Sequence, residues 1–290
     1  MKKNREIIFI FGSAGEVGSD LVKFFSNKYE VYAFQRCKKK KDIKNKNVKF
    51  IYHNFVNSLK IKIKPKIIIN CIVSHEFSKK NNFSNIMLNN SLSALHISEF
   101  AKKKKIKIIN LSSVVIYNNF NKKNLYENSF FPETNLLGSL KLLVENSIKF
   151  QNKEYINLRL PGILTQTKNS KRPWLRKVIF DIKQNRNLLV YNKDSFFNNL
   201  TTSKEIFRFI DFLINKKVFH SGTYNFSSNR PIKIYQLLDT IKKYYKSSSI
   251  IKYSKTNKNS FIIINNKLEK IFNFKIYKTK DLLLDYLNDI

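Results

Sequence analysis

Ile7-Ile8-Phe9-Ile10-Phe11-Gly12-Ser13-Ala14-Gly15-Glu16-Val17-Gly18 is the stretch from which the rest of the chain is read. Ile7 to Phe11 is an unbroken apolar run, the pattern of a strand buried on both faces of a parallel sheet. Gly12, Gly15 and Gly18 follow at G-x-x-G-x-x-G spacing. Val17, Leu21, Phe24 and Phe25 then recur at helical spacing, so a helix begins near Glu16. Strand, glycine turn and helix in that order form the context in which a glycine triplet binds a dinucleotide. A side chain at Gly12 or Gly15 would hold the backbone away from a pyrophosphate. The helix N-terminus offers N–H groups and the positive end of a dipole.

Outward from this unit, strands and helices alternate to about residue 160. Val31 to Phe34 reads as the second strand, Val48 to Tyr52 as the third and Ile67 to Ile72 as the fourth; Leu140, Leu143, Val144 and Ile148 mark a helix. Alternation of this kind predicts an α/β fold with a doubly wound parallel sheet. The second half mixes its patterns: a helix over 174–183, Ser203 as N-cap for Ile206, Phe207, Ile210 and Leu213, then stripes at 234–241 and 282–287. The expected division is a nucleotide-binding Rossmann domain over 1–160 and a smaller substrate lobe over 161–290, partly interleaved with the first.

The formal net charge is +35, from 55 basic and 20 acidic residues. Charge alone points to nucleic acid or an anionic membrane. Only eight of the basic residues are arginine, the side chain shaped for bidentate phosphate and guanine contacts. Lysine rises together with Asn, Ile and Phe, as AT-rich codon usage produces, so no nucleic-acid partner is expected. The lysine runs 38–41 and 102–105 read as solvated loops. The sequence holds no apolar run of about 18 residues or more, so no membrane span is expected. The apolar run after Met1-Lys-Lys-Asn-Arg5 is too short for a secretory leader and runs into the glycine turn. Two cysteines, Cys37 and Cys71, make no disulfide framework and fit a reducing cytoplasm. His53, His96 and His220 have no metal-ligand spacing, and no metal site is expected.

Further segments carry a family resemblance. Lys66-Ile-Ile-Ile-Asn70-Cys71, Asn90 among Leu88, Leu92 and Leu95, Ile108 to Tyr117 with Ser112-Ser113, Leu137-Gly-Ser-Leu-Lys141-Leu-Leu-Val-Glu145, and Asn157-Leu-Arg-Leu-Pro161-Gly162 stand in a meaningful order and separation. Together with the glycine turn, the chain resembles the extended short-chain dehydrogenase/reductase family, in its NAD-dependent epimerase/dehydratase and dehydrorhamnose-reductase-like branch. That branch acts on nucleotide sugars. The resemblance implies a cofactor site built from Gly12, Ser13, Ala14, Gly15, Glu16, Val17, Gly18, Gln35, Arg36, Asn54, Cys71, Ile72, Asn90, Lys141, Pro161 and Gly162. It implies Ser113 and Lys141 as catalytic residues, a nucleotide-sugar substrate, and a homodimer through helices near 90–103 and 135–150. Glu127 resembles a loop glutamate of the family. Gln35 stands where an acidic residue normally grips the ribose of NAD, Arg36 follows it, and Asn54 is a second neutral replacement; NADP is therefore favoured over NAD.

The same resemblance exposes a departure. Leu137 stands where the family carries tyrosine in Tyr-x-x-x-Lys, and none of the fourteen tyrosines has lysine four residues later. Positions 137 and 141 share a helix face, so Leu137 is expected to face the nicotinamide one turn before Lys141, with Ser113 opposite. Leucine exchanges no proton. Either another acid serves (Ser113, a water, or a residue of Ser74-His75-Glu76), or the protein binds cofactor without catalysis, as a regulatory or complex-forming protein. A cleft is expected between Pro161-Gly162 and the loops carrying Ser74, Ser113 and Leu137. Arg172, Arg176 and Arg230 are candidates to face a substrate diphosphate there.

Overall fold

Isoleucine- and phenylalanine-rich segments can lose their polar backbone to a sheet only by pairing edge to edge, and here they do so in parallel. The computed structural model describes residues 5–37, 45–55, 57–73, 83–117, 123–129, 135–166, 173–256 and 260–290. Among them, one sheet is built from β1 (Ile7–Phe11), β2 (Glu30–Gln35), β3 (Val48–Tyr52), β4 (Ile67–Asn70), β5 (Lys107–Ser113), β6 (Tyr155–Leu160) and β7 (Gly222–Asn225). Its order is β7-β6-β5-β4-β1-β2-β3, with every pairing parallel. The order reverses between β1 and β4, which opens a crevice at their carboxyl ends, where α/β sheets bind ligands.

Helices cover both faces. On one, α1 (Glu16–Phe25) and the later helices Ser203–Lys216 and Asn266–Phe272 pack Leu21, Phe25, Phe209, Ile210 and Phe272 against Ile8, Ile10 and Ile109. On the other, α2 (Ser93–Lys104) and α3 (Leu136–Gln151) pack Ile97, Phe100, Val144 and Ile148 against Phe9, Phe11 and Ile68. This is the doubly wound α/β architecture expected. A separate cluster of Leu175, Ile179, Leu237, Ile241, Leu283 and Tyr286 forms the core of the second half, around α4 (Trp174–Lys183), with α5 now denoting Ser203–Lys216. No helix among the described residues is long and apolar enough to cross a membrane.

Polar side chains mark where several elements end. β4 stops at Asn70, whose Oδ1 accepts the N–H of Ile72 at 3.2 Å. β5 stops at Ser113, whose Oγ accepts the N–H of Val115 at 3.2 Å, and residues 114–117 turn as a 3-10 helix, shortening the strand expected there. The Leu88-to-Leu95 helix is interrupted by a π-helical turn, Leu88–Leu92. Asn90 Nδ2 donates to the Ile86 carbonyl at 2.9 Å, satisfying the acceptor that the wider turn releases. Lys102, Lys103 and Lys104 form the last turn of α2, not a loop, where their charge opposes the helix dipole. The N-cap of α5 is Thr202, whose hydroxyl accepts from Glu205 N at 3.0 Å; Ser203 is the first helical residue.

One line of side chains crosses the sheet. Asn70, Asn110, Asn157 and Thr223 are in register on β4, β5, β6 and β7. Asn70 Nδ2 donates to Asn110 Oδ1 at 2.9 Å and Asn110 Nδ2 to Asn157 Oδ1 at 3.0 Å. Asn157 Nδ2 continues to Thr223 Oγ1 and the Glu145 carbonyl, both at 3.4 Å. The three asparagines are buried.

Candidate active site

The glycine turn leaves β1 at the switch point. Gly12 has φ +80°, and a Cβ there would lie 3.0 Å from Cys71 C and Ile72 N. Its amide and those of its neighbour bind back to β2: Gly12 N and Ser13 N each donate to the Phe34 carbonyl at 3.1 Å, and Ser13 Oγ at 3.0 Å. A Cβ on Gly18 would lie 2.2 Å from Gly12 O. These two glycines are required by the protein's own backbone. Gly15 differs. Its φ of −74° suits any residue, and a Cβ would meet only Gly12 O, at 3.3 Å. Beyond Gly12 O, a Cβ on Gly15 would meet no heavy atom outside its chain neighbours and its own helix within 4 Å at the N-terminus of α1.

Around this turn, Ala14 and Val17 are half-buried and Val17 packs on the core. Gln35 is buried at the end of β2, and its carbonyl accepts from His53 N at 3.0 Å. Arg36 is exposed and donates to Asn89 Oδ1 at 3.3 Å. Asn54 lies exposed beyond β3. Pro161 is buried after β6, and Gly162 sits so close to Pro173 that a Cβ would come within 2.9 Å of its ring.

Lys141 lies on α3 and is buried. Its Nζ donates to the Leu111 carbonyl on β5 at 3.1 Å and to the Ile72 carbonyl beyond β4 at 3.5 Å. Leu137, one turn earlier, is half-buried and belongs to none of the apolar clusters of the described residues. Ser113, two residues past Leu111, is half-buried as well. Burial pulls the Lys141 ammonium down to about 8, against opposing contributions from Cys71 and Glu145. Burial pushes the Cys71 thiol up to about 12.

These shifts act on stability in opposite directions. Between the folded and ordinary lysine values, about 8 to 10.5, the unfolded chain binds the proton that folded Lys141 has lost, so Lys141 makes stability rise with pH. Folded Cys71 retains its proton between about 9 and 12, and there stability falls. The two overlap above pH 9 and the groups interact, so the lysine is isolated by comparing Cys71→Ala with Cys71→Ala/Lys141→Met. That difference is expected to move by roughly 3 kcal/mol in favour of the form that keeps Lys141 between pH 7 and 10.5, measured by urea denaturation. A difference independent of pH would show that Lys141 is not held in this way.

Behind Lys141 lies a buried polar network. Arg159 on β6 donates to Glu145 from Nε at 3.1 and 3.2 Å and from Nη2 at 2.8 Å. Arg159 Nη1 reaches Tyr117 OH at 2.9 Å and the Glu127 carbonyl at 2.8 Å. Ser112 Oγ donates to Glu145, Tyr117 OH to Asn225 Oδ1 at 2.7 Å, and Asn225 N to Glu127 Oε1 at 2.8 Å. Through these bonds the network ties β5, β6, β7, α3 and the 124–129 segment together. The sequence offered a signal for it: an arginine inside an apolar strand requires a buried acid. A cavity of about 640 Å³ adjoins this network, lined by Glu127, Glu145, Tyr155, Arg159, Thr223 and Lys267. It opens beside the outer strand β7, away from the glycine turn.

The expected substrate arginines divide. Arg172 lies outside the described residues, as does Ser74-His75-Glu76 with its side of the expected cleft. Arg230 is exposed, with φ +50°. Arg176 on α4 turns toward α1: its Nη1 donates to Thr165 Oγ1 at 2.8 Å and lies 3.9 Å from Glu16 Oε2. It faces the N-terminus of α1, next to the glycine turn.

No curated protein sequence matches the chain. Many solved structures share its fold, three of them as follows. The Bordetella bronchiseptica enzyme WbmG, in complex with NAD, matches with a TM-score of 0.80 and 14% identity over 99% of this chain and 94% of its own. Helicobacter pylori ADP-L-glycero-D-manno-heptose-6-epimerase matches with 0.80 and 18% over 99% and 97%. Bacillus anthracis dTDP-4-dehydrorhamnose reductase, in complex with NADP, matches with 0.79 and 16% over 100% of both chains. At such identities the likeness is one of fold. The sequence profile of the RmlD substrate binding domain matches residues 6–261, most of the chain, and the protein is a member of that family.

Proposed function

We propose that the protein binds a nicotinamide dinucleotide at the glycine turn and acts on a nucleotide sugar as a reductase, epimerase or dehydratase, within the cytoplasm and in surface-polysaccharide sugar metabolism. The observation that carries this reading is the glycine turn that leaves β1 at the sheet's switch point and enters the N-terminus of α1 at Gly15, where a Cβ would meet only Gly12 O, at 3.3 Å. Structural relatives named as NAD and NADP complexes support the cofactor class, and relatives named for heptose and dehydrorhamnose chemistry support the substrate class. NADP is the favoured form: Gln35 places no carboxylate against a 2′-phosphate, and exposed Arg36 offers it a cation.

When bound, the dinucleotide supplies hydride exchange. The chain's part is to hold the pyrophosphate on the N–H groups of α1, to offer the Lys141 ammonium at the β4 and β5 ends, and to offer the Ser113 hydroxyl. Residues 1–160 would form the dinucleotide lobe and 161–290 the substrate lobe, partly interleaved with the first through β7 and the helices Ser203–Lys216 and Asn266–Phe272. A homodimer through α2 and α3 is supported by Leu142, Leu143 and Phe150, which are 37%, 46% and 90% exposed on α3.

Titration calorimetry tests the reading. Wild-type protein is expected to bind NADPH more tightly than NADH, and Gly15→Trp to weaken both more than tenfold (about 1.4 kcal/mol or more) while unfolding at a similar temperature. No heat from either dinucleotide would overturn the reading. A second reading, a cofactor-binding protein without catalysis, is favoured by one observation: leucine at position 137 beside Lys141.

A further inference from the structure

An acidic residue opens the helix that the pyrophosphate must reach. Glu16 is the first residue of α1, directly after Gly15. A carboxylate there is drawn to the unsatisfied N–H groups and positive dipole end of its own helix, the same groups a pyrophosphate needs. The structure holds it elsewhere. Glu16 Oε2 accepts from Thr165 Oγ1 at 3.3 Å and lies 3.9 Å from Arg176 Nη1, which itself donates to Thr165 Oγ1 at 2.8 Å. The Arg176 side chain is 11% exposed and that of Glu16 46%.

The contact is one part of a wider junction. Glu16, Asp20 and Lys23 lie along one face of α1, and each meets the 165–166 segment. Asp20 Oδ2 accepts from Gln166 N at 2.8 Å and from Ser203 Oγ at 2.5 Å, and Lys23 Nζ donates to Gln166 Oε1 at 2.9 Å. Tyr286 OH donates to the Thr165 carbonyl at 3.2 Å. Asp20 and Lys23 thus have partners of their own. Arg176 is the cation set against Glu16.

We propose that Arg176 is a positioning residue for the dinucleotide: by holding Glu16 against the second half of the chain, it keeps that carboxylate from occupying the helix terminus the pyrophosphate needs. The proposal rests on the dinucleotide reading and adds to it a competitor built into the turn, together with the residue that restrains it. Glu16 without Arg176 becomes an internal anion on the ligand's own site. Glu16 neutralised needs no restraint.

The opposite signs of two substitutions test this. Calorimetric titration with NADPH is compared across wild type, Glu16→Gln, Arg176→Gln and the double variant, with thermal unfolding measured in parallel. Arg176→Gln is expected to weaken binding about tenfold, in line with an unscreened charge a few ångströms from the ligand. Glu16→Gln is expected to leave binding unchanged or tighten it up to about threefold, and added to Arg176→Gln to restore most of the loss. Thr165→Val, which keeps both charges but removes the bridging hydroxyl, gives a milder weakening that Glu16→Gln also relieves; it serves if Arg176→Gln fails to fold. If Glu16→Gln weakens binding as Arg176→Gln does, and the double variant is no better than either, the junction is only structural and the proposal falls. Wild-type binding that Arg176→Gln leaves unchanged also overturns it, with the dinucleotide reading intact. No binding by any form overturns both.

Discussion

Leu137→Tyr is expected to raise, or create, hydride-transfer activity on a keto-sugar nucleotide by about 10²–10⁴-fold, the usual contribution of a positioned general acid. The geometry favours a direct gain. Position 137 is half-buried, one helical turn from Lys141, and outside the apolar clusters, so a larger polar side chain there need not displace packed atoms. Lys141, held by the Leu111 and Ile72 carbonyls, is in place to lower the pKa of a phenol beside it. Nicotinamide absorbance across a panel of nucleotide sugars reads the outcome. Brisk turnover by wild type, with the tyrosine variant no faster, would mean that another acid already serves and would end the reading without catalysis.

The second large effect is on stability. Glu145→Ala is expected to cost about 3–5 kcal/mol, the range for removing one partner of a buried ion pair. The side chains of Arg159 and Glu145 are 9% and 3% exposed, and among the described residues the guanidinium would keep no carboxylate partner. Burial lowers the arginine pKa and the glutamate raises it more, so Arg159 stays charged and cannot relieve the loss by neutralising. Glu145→Leu with Arg159→Met is expected to recover part of the stability, because it removes both charges together. A control pair, Lys49–Glu30, has a lysine side chain 56% exposed, and its removal is expected to cost less than about 1 kcal/mol. Urea denaturation compares the three. A loss below about 1 kcal/mol for Glu145→Ala would show that the network is not what holds these strands together.

The fold and the cofactor turn were legible because their signals are local. A strand buried on both faces, a glycine triplet and a helical stripe each lie within a few residues. What was missed depends on partners far along the chain. The Ser113 and Asn70 side chains end their strands early, against the apolar pattern that continues past them. Asn90 reads as one helical residue, although its side chain replaces a main-chain bond across a wider turn. Arg176 is an arginine of the second half in sequence, yet it stands against Glu16, 160 residues earlier. The Arg159 network joins five segments, and only its buried arginine could have announced it.

The crossing line of asparagines has a consequence for alignment. In Ile7–Phe11, Ile67–Asn70 and Lys107–Ser113 apolar side chains face both sides, so sliding one strand past its neighbour by two residues changes burial little. Apolar patterning therefore cannot say how far along each strand its neighbour should sit. Asn70, Asn110 and Asn157 can. Only one offset lets each amide meet the next, and a slipped strand would strand buried donors and acceptors at about 1–3 kcal/mol for each group left unmet. The three amides act as a key cut across the sheet, rejecting offsets that the isoleucines alone would accept.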